Sequence, residues 1–164
     1  MKIRHATVND AKPIHALVNY YANKKEMLNR SLSDIYEGVQ KYFVVEHKNK
    51  VIGCCSLHVS WEDLAEIKSL AIDPNWQKKG LGTKLVVACH NMAKTLGIKK
   101  VFALTFKPNF FIKLGYTKIA REELPHKVWG ECIKCPLFPD CGEIPLIKDL
   151  YTSKSKITNR KSKI

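Results

Sequence analysis

Between Ala65 and Thr83 the chain reads AEIKSLAIDPNWQKKGLGT: one acid in an apolar run, then two lysines and two glycines. Glu66 is the residue there that can take a proton. A carboxylate in a partly apolar site is a suitable base for an ammonium group, directly or through one water. Pairing with a lysine or facing solvent would explain Glu66 equally simply. Glu62 and Asp63 are second choices for the same task. Farther on, Gln77, Lys78, Lys79, Gly80, Leu81, Gly82 and Thr83 lead into a helix. The first turn of a helix leaves amides without partners, and glycines let an anion reach them without a Cβ in the way. Lys78 and Lys79 add positive charge. A plain tight turn would also account for the glycines. The loop lacks the lysine and hydroxyl of a Walker sequence and the third glycine of a dinucleotide fingerprint, so its phosphates belong to another ligand.

Other parts of the chain must hold these groups in place. A short strand, KIRHA, precedes a helix from about Asp10 to Ala22, where Ile14, Leu17, Val18 and Tyr21 recur at helical steps. Ser31 or Ser33 caps a second short helix through Val39. YFVVEH and VIGCCSLHVS flank the polar KNK and read as a hairpin. LAEIKSLAI is a further strand, the glycine-led helix closes at Gly97, and KVFALTF is a fifth strand. NFFIKLG makes a turn or two of helix, and EIPLIKDL is a late strand. The expected fold class is α/β (α+β), with a mixed central sheet and helices on both faces.

The chain has 164 residues, enough for one domain with a real core, expected over residues 1–150. Net charge is +13, which points to anionic partners. The segment 151–164 carries five basic residues and no acid, and is expected to be a disordered basic tail. The first 150 residues keep 23 basic against 15 acidic residues, a net of +8. The start, MKIRHATVND, has no apolar signal core, and no run is long enough to span a membrane, so a cytoplasmic protein is expected. Neither a membrane nor a nucleic-acid partner is expected.

LAIDPNWQKKGLGTKLV resembles the acyl-CoA motif of the GNAT acetyltransferase superfamily, and the likeness runs roughly from Lys2 to Leu150. The resemblance implies the GNAT fold with a mostly antiparallel sheet, and acetyl-CoA as co-substrate. It assigns the CoA pyrophosphate to Gln77, Lys78, Lys79, Gly80, Leu81, Gly82 and Thr83, and the pantetheine arm to the backbone of Leu70, Ala71 and Ile72. It also implies that Glu66, in its AEI setting, is the general base. Many members use a tyrosine to protonate the leaving thiolate; Phe111 stands in its place here, and Tyr116 reads as core or strand. Within the superfamily, KKEMLNRSL, LHVSWEDLAEIKSLAI, VFALTFKPNFFIKLGY and ELPHKVWGECIKCPLFPDC look like the short-form N-acetylglutamate synthases. That likeness implies acetyl transfer to the α-amine of L-glutamate, the first step of arginine biosynthesis.

Two substrate carboxylates and the CoA phosphates call for a basic pocket. Arg30, Lys107 and Lys127 are the carboxylate candidates, and Arg30 leads because a guanidinium fork suits a carboxylate. Lys68 should share a strand face with Glu66 and Leu70, where it could tune Glu66. His126, Cys132, Cys135 and Cys141 would suit tetrahedral zinc; a reduced or redox-labile thiol set and a disulfide stay open, and no metal is assigned. Cys54, Cys55 and Cys89 read as core. A homodimer is left open. The rival readings are a GNAT enzyme for another amine (another amino acid, a polyamine or a protein N-terminus) and a non-catalytic CoA- or nucleic-acid-binding module.

Overall fold

The computed structural model describes residues 1–124 and 142–151. Its strands are β1 (Lys2–His5), β2 (Tyr42–His47), β3 (Lys50–Trp61), β4 (Leu64–Ile72), β5 (Lys100–Thr105), β6 (Thr117–Lys118) and β7 (Ile144–Asp149). Its helices are α1 (Ala11–Asn23), α2 (Leu32–Glu37), α3 (Leu81–Thr95) and α4 (Pro108–Lys113), with short 3-10 turns between. The strands form one seven-stranded sheet in the order β1-β2-β3-β4-β5-β7-β6. The chain divides into two compact units that part within β3 and β4.

The first unit comprises Met1–His58 and Ile67–Met92. Here β1 pairs antiparallel with β2, and β2 with β3. The β2–β3 turn puts Lys48 and Asn49 at φ 49° and 61°. Two consecutive positive values match the twist of a hairpin, and Asn tolerates them well. Ser31 is the cap of α2, accepting from the Asp34 amide at 3.0 Å. The helix stops at Glu37, earlier than expected, and the chain continues as a 3-10 turn through Lys41.

Ala11, Ile14, Val18 and Tyr21 of α1 join Ile35 of α2 against Tyr42, Val44, Cys54 and Ala71. The helical three- and four-residue steps meet the two-residue step of the strands, and water is excluded between them. The opposite face of this part of the sheet meets α3. Cys55 alternates to that face, and its Sγ lies 3.7 Å from Cys89 Sγ. A Cβ on Gly53 would fall 2.7 Å from the tip of the Ile72 side chain, which would have to shift. Burial pushes the Cys54 thiol up to about 12. The contact with Cys89, then burial, raises that of Cys55. Both stay protonated, as core groups rather than nucleophiles.

The second unit comprises Val59–Glu66 and the chain from Ala93 onward. In it β7 lies between β5 and β6 and pairs antiparallel with both. Leu64, Phe102 and Leu124 form its core, with Leu104, Ile119 and Ile147 packed on them. The Asp63 carbonyl accepts from the amides of Lys99 and Lys100, at 3.2 and 3.0 Å, where the chain enters β5. Strand β6 was not expected from the sequence. Its two residues are exposed and show no alternation; only pairing with β7 makes them a strand.

Candidate functional site

The segment after β4 is built as a cradle. Asp73 caps a 3-10 turn, Pro74–Trp76, by accepting from the Asn75 amide at 2.9 Å. Lys78 and Gly80 then take φ values of 60° and 79° on either side of Lys79. The first helical hydrogen bond of α3 runs from the Lys84 amide to the Gly80 carbonyl at 3.2 Å. The amides of Leu81, Gly82 and Thr83 therefore have no acceptor inside the helix, and they carry the positive end of a 15-residue dipole. No atom lies within 4 Å of a Cβ built on Gly80, so its conformation, and not crowding, calls for glycine there. The Lys79 ammonium sits 4.9 Å over the Trp76 ring, whose other neighbour is the His47 ring at 4.6 Å. Helix α3 begins at Leu81.

Tyr21 holds both ends of this segment, a role that sequence reading missed. Its hydroxyl donates to the Ile72 carbonyl at the end of β4 and accepts from Gln77 Nε2. Burial is the main cause that raises its pKa, so the phenol stays neutral and keeps its proton for Ile72. Tyr21 was legible in sequence only as one apolar position of α1.

Along β4, Leu64, Ala65, Glu66 and Ile67 are buried, with Glu66 at 6% exposure. Desolvation of that kind suits a carboxylate meant to accept a proton. Ser69 lies at φ 55°, a left-handed value inside a strand. This corrects the expectation that Leu70 shares a face with Glu66 and Lys68, because strict alternation does not pass through a left-handed residue. The distorted carbonyls have side-chain partners. Ser56 Oγ donates to the Lys68 carbonyl at 3.0 Å, and the Cys54 thiol to that of Ser69 at 3.4 Å. Beyond the kink, Leu70 and Ile72 are half-buried and Ala71 is buried.

Of the carboxylate candidates, Arg30 is half-buried in the connection between α1 and α2, in the first unit. Lys107 is exposed at the start of α4, in the second unit, its amide bonded to Thr105 Oγ1 at 2.9 Å. Lys127, His126, Cys132, Cys135 and Cys141 lie outside the described residues, as do the positions after Tyr151. Phe111 is buried, 5.1 Å from the rings of both Phe110 and Tyr116. It is a packed core ring where relatives of the motif place an acid, and Tyr116 beside it is core as expected. Glu62 and Asp63 form the turn between β3 and β4. Among the described residues no group of three or more His, Cys, Asp or Glu is arranged to hold a metal ion. No helix among them is long and apolar enough to cross a membrane.

Residues 11–116 match the Acetyltransferase (GNAT) family. An uncharacterized N-acetyltransferase of Chlorobaculum tepidum is 37% identical over 148 residues, 90% of this chain and 96% of that protein. An amino-acid acetyltransferase of Mycobacterium tuberculosis is 38% identical over 132 residues, 79% of this chain and 75% of that protein. Among solved structures, a Mycobacterium tuberculosis protein in complex with CoA and NLQ superposes with a TM-score of 0.80 at 32% identity, covering 91% of this chain and 99% of its own. N-acetylglutamate synthase from Neisseria gonorrhoeae, complexed with coenzyme A and N-acetyl-glutamate, gives 0.85 at 25% identity over 92% of this chain and 35% of its own. With this sheet, this glycine-led helix and these relatives, the chain belongs to the GNAT family and is an acetyl-CoA-dependent N-acetyltransferase.

Proposed function

We propose that the chain acetylates the α-amine of L-glutamate, as a cytoplasmic N-acetylglutamate synthase at the first step of arginine biosynthesis. The observation that carries the choice of acceptor is the 38% identity, over 79% of this chain, to an amino-acid acetyltransferase. The net charge of +13 agrees with an anionic acceptor as well as an anionic donor. In this reading the CoA pyrophosphate rests on the amides of Gly80, Leu81, Gly82 and Thr83, beside Gln77, Lys78 and Lys79. The pantetheine arm follows Leu70, Ala71 and Ile72. Glu66 takes the proton of the substrate ammonium, directly or through a water. The freed amine attacks the thioester carbonyl, the nitrogen gives up its second proton to solvent as the C–S bond breaks, and CoA leaves as a thiolate. Phe111 has no proton to give, so that thiolate is protonated from solvent. Arg30 is the leading partner for a substrate carboxylate, ahead of Lys107 and Lys127.

The test is a panel of free amino acids with acetyl-CoA, followed by release of free thiol. Glutamate should exceed glutamine by about 10- to 150-fold in kcat/KM, the worth of one charge-assisted bond of about 1.5–3 kcal/mol. Equal values would remove glutamate as the acceptor and leave the acetyltransferase in place. A second reading is another amino acid as acceptor; the N-acetyltransferase relative that spans 90% of this chain carries no acceptor in its name. The same panel separates the two.

A further inference from the structure

Helix α3 and strand β3 touch through a pair of thiols that acetyl transfer leaves unused. The buried residues Leu81, Leu85 and Cys89 follow one another at four-residue steps, so they share one face of α3. That face rests closely on β3. A Cβ built on Gly53 would lie 3.3 Å from Leu85 Cδ1, and one turn farther on the Cys89 thiol donates to Cys55 Sγ at 3.7 Å. Cys55 and Cys89 are each 0% exposed. Cys54 takes no part, because it packs on the opposite face of the sheet and its thiol donates to the Ser69 carbonyl at 3.4 Å.

Two thiols in contact need only lose two electrons and their protons to become bonded. A disulfide holds its sulfurs about 2.05 Å apart, so this pair has about 1.6 Å to close. In the packed protein the pair is sheltered. No solvent reaches either residue, and the neighbouring sulfur and burial hold the Cys55 thiol protonated. Oxidation therefore has to wait until α3 lifts locally from the sheet. The same helix carries the anion cradle at its N-terminus, and Cys89 lies about 12 Å along it from Leu81. A ligand that binds the seated helix and not the lifted one makes lifting rarer, by a factor set by its concentration over its Kd.

We propose that Cys55 and Cys89 are a modification site, joined by hydrogen peroxide as a reversible disulfide when α3 lifts, and that bound CoA protects the pair by keeping α3 seated. In the lifted state one thiol loses its proton and its sulfur attacks a peroxide oxygen. The O–O bond breaks, the departing oxygen leaves as water, and a sulfenic acid remains. The second thiol attacks that sulfur, the S–O bond breaks, a second water leaves, and the S–S bond forms. Two electrons pass from the sulfurs to one peroxide. Drawing Cys89 toward Cys55 tilts α3 and displaces its first turn, so the oxidised protein should hold acetyl-CoA less well. The protective effect rests on the assignment of the loop amides to the CoA pyrophosphate; the disulfide does not.

The experiment treats the full-length protein with hydrogen peroxide, blocks the remaining thiols with iodoacetamide and maps its peptides without reduction. A linked pair of peptides joining Cys55 to Cys89 is expected in the wild type, a reading that needs no variant. The link should persist in Cys54→Ala and vanish in Cys89→Ala, which separates the two adjacent cysteines of β3. With CoA present at about ten times its Kd, the link should form about tenfold more slowly. The linked protein should show a several-fold higher KM for acetyl-CoA, restored by dithiothreitol. Peroxide chemistry without a Cys55–Cys89 link, such as pairing confined to Cys132, Cys135 and Cys141, overturns the inference and spares the acetyl-transfer reading. A linked protein with an unchanged KM overturns the bearing of the pair on the cofactor. Calorimetry of CoA on the same samples keeps the two readings apart. CoA that binds and does not slow the reaction overturns the protection, whereas CoA that does not bind overturns the cradle assignment as well.

Discussion

At the scale of single residues, Glu66 shows how far chemistry can be read from a one-dimensional pattern. A lone acid in an apolar strand raises the question of a base, and its 6% exposure supplies the desolvation that such a base requires. Glu66→Gln keeps the shape and removes the basicity. Its kcat should fall about 10²- to 10⁴-fold at neutral pH while acetyl-CoA affinity holds. Raising the pH should restore part of the rate, because more of the amine then arrives deprotonated. A variant with near-normal kcat and an unchanged pH profile would transfer the proton role elsewhere, with Glu62 and Asp63 next to examine. Ser69 makes the opposite point. Nothing in AEIKSLAI marks it for a left-handed backbone, and its φ of 55° appears only once β4 is paired.

Two junctions carry the argument at the scale of elements. Tyr21 ties α1 to the end of β4 and to Gln77. Tyr21→Phe removes both bonds and little volume. Stability should drop by about 1–2 kcal/mol, and the KM for acetyl-CoA should rise several-fold with kcat nearly unchanged. Denaturant melts and saturation kinetics would separate the two effects. The second junction lies between β1 and α1. Asp10 accepts from Arg4 Nη1 and Nη2 at 2.7 and 3.0 Å and from the Thr7 amide at 2.7 Å. The bonds from Arg4 lead in holding its carboxyl below the usual range, and burial works against them. A depressed carboxylate adds stability that is present above its unfolded pKa of about 3.9 and lost as pH falls through the folded value. Asp10→Asn should therefore cost about 1.5–3 kcal/mol at neutral pH, and the gap to wild type should close in acid below about pH 4. A gap that stays constant down to pH ~2 would assign the loss to packing instead of the ion pair.

For the whole molecule, charge is the property that reaches beyond contacts. A net of +13 attracts a phosphate-bearing donor and, in the proposed reading, a dicarboxylate acceptor alike. Salt screens such fields within about 10 Å at ~0.1 M. Raising KCl from about 20 mM to about 500 mM should lower kcat/KM several-fold for both substrates, mainly through KM. A rate indifferent to salt would confine recognition to short-range bonds.

What the amino-acid order determined about this protein is what lies close together along the chain. The spacing of Ile14, Leu17, Val18 and Tyr21 specifies an amphipathic α1, because one helical turn relates residues three and four apart. Lys48-Asn49 and the glycines at 80 and 97 mark a hairpin and two helix ends, since a single residue's allowed φ decides each. The glycine-led turn after β4 was legible for the same reason. Tertiary structure alone decided what depends on distant partners. Two exposed residues become β6 because β7 lies beside them, thirty residues along the chain. Tyr21 meets Ile72 across fifty-one residues, and no local pattern encodes that meeting. Local sterics act through neighbouring bonds, whereas hydrogen-bond partners and electric fields depend on distances that folding alone creates.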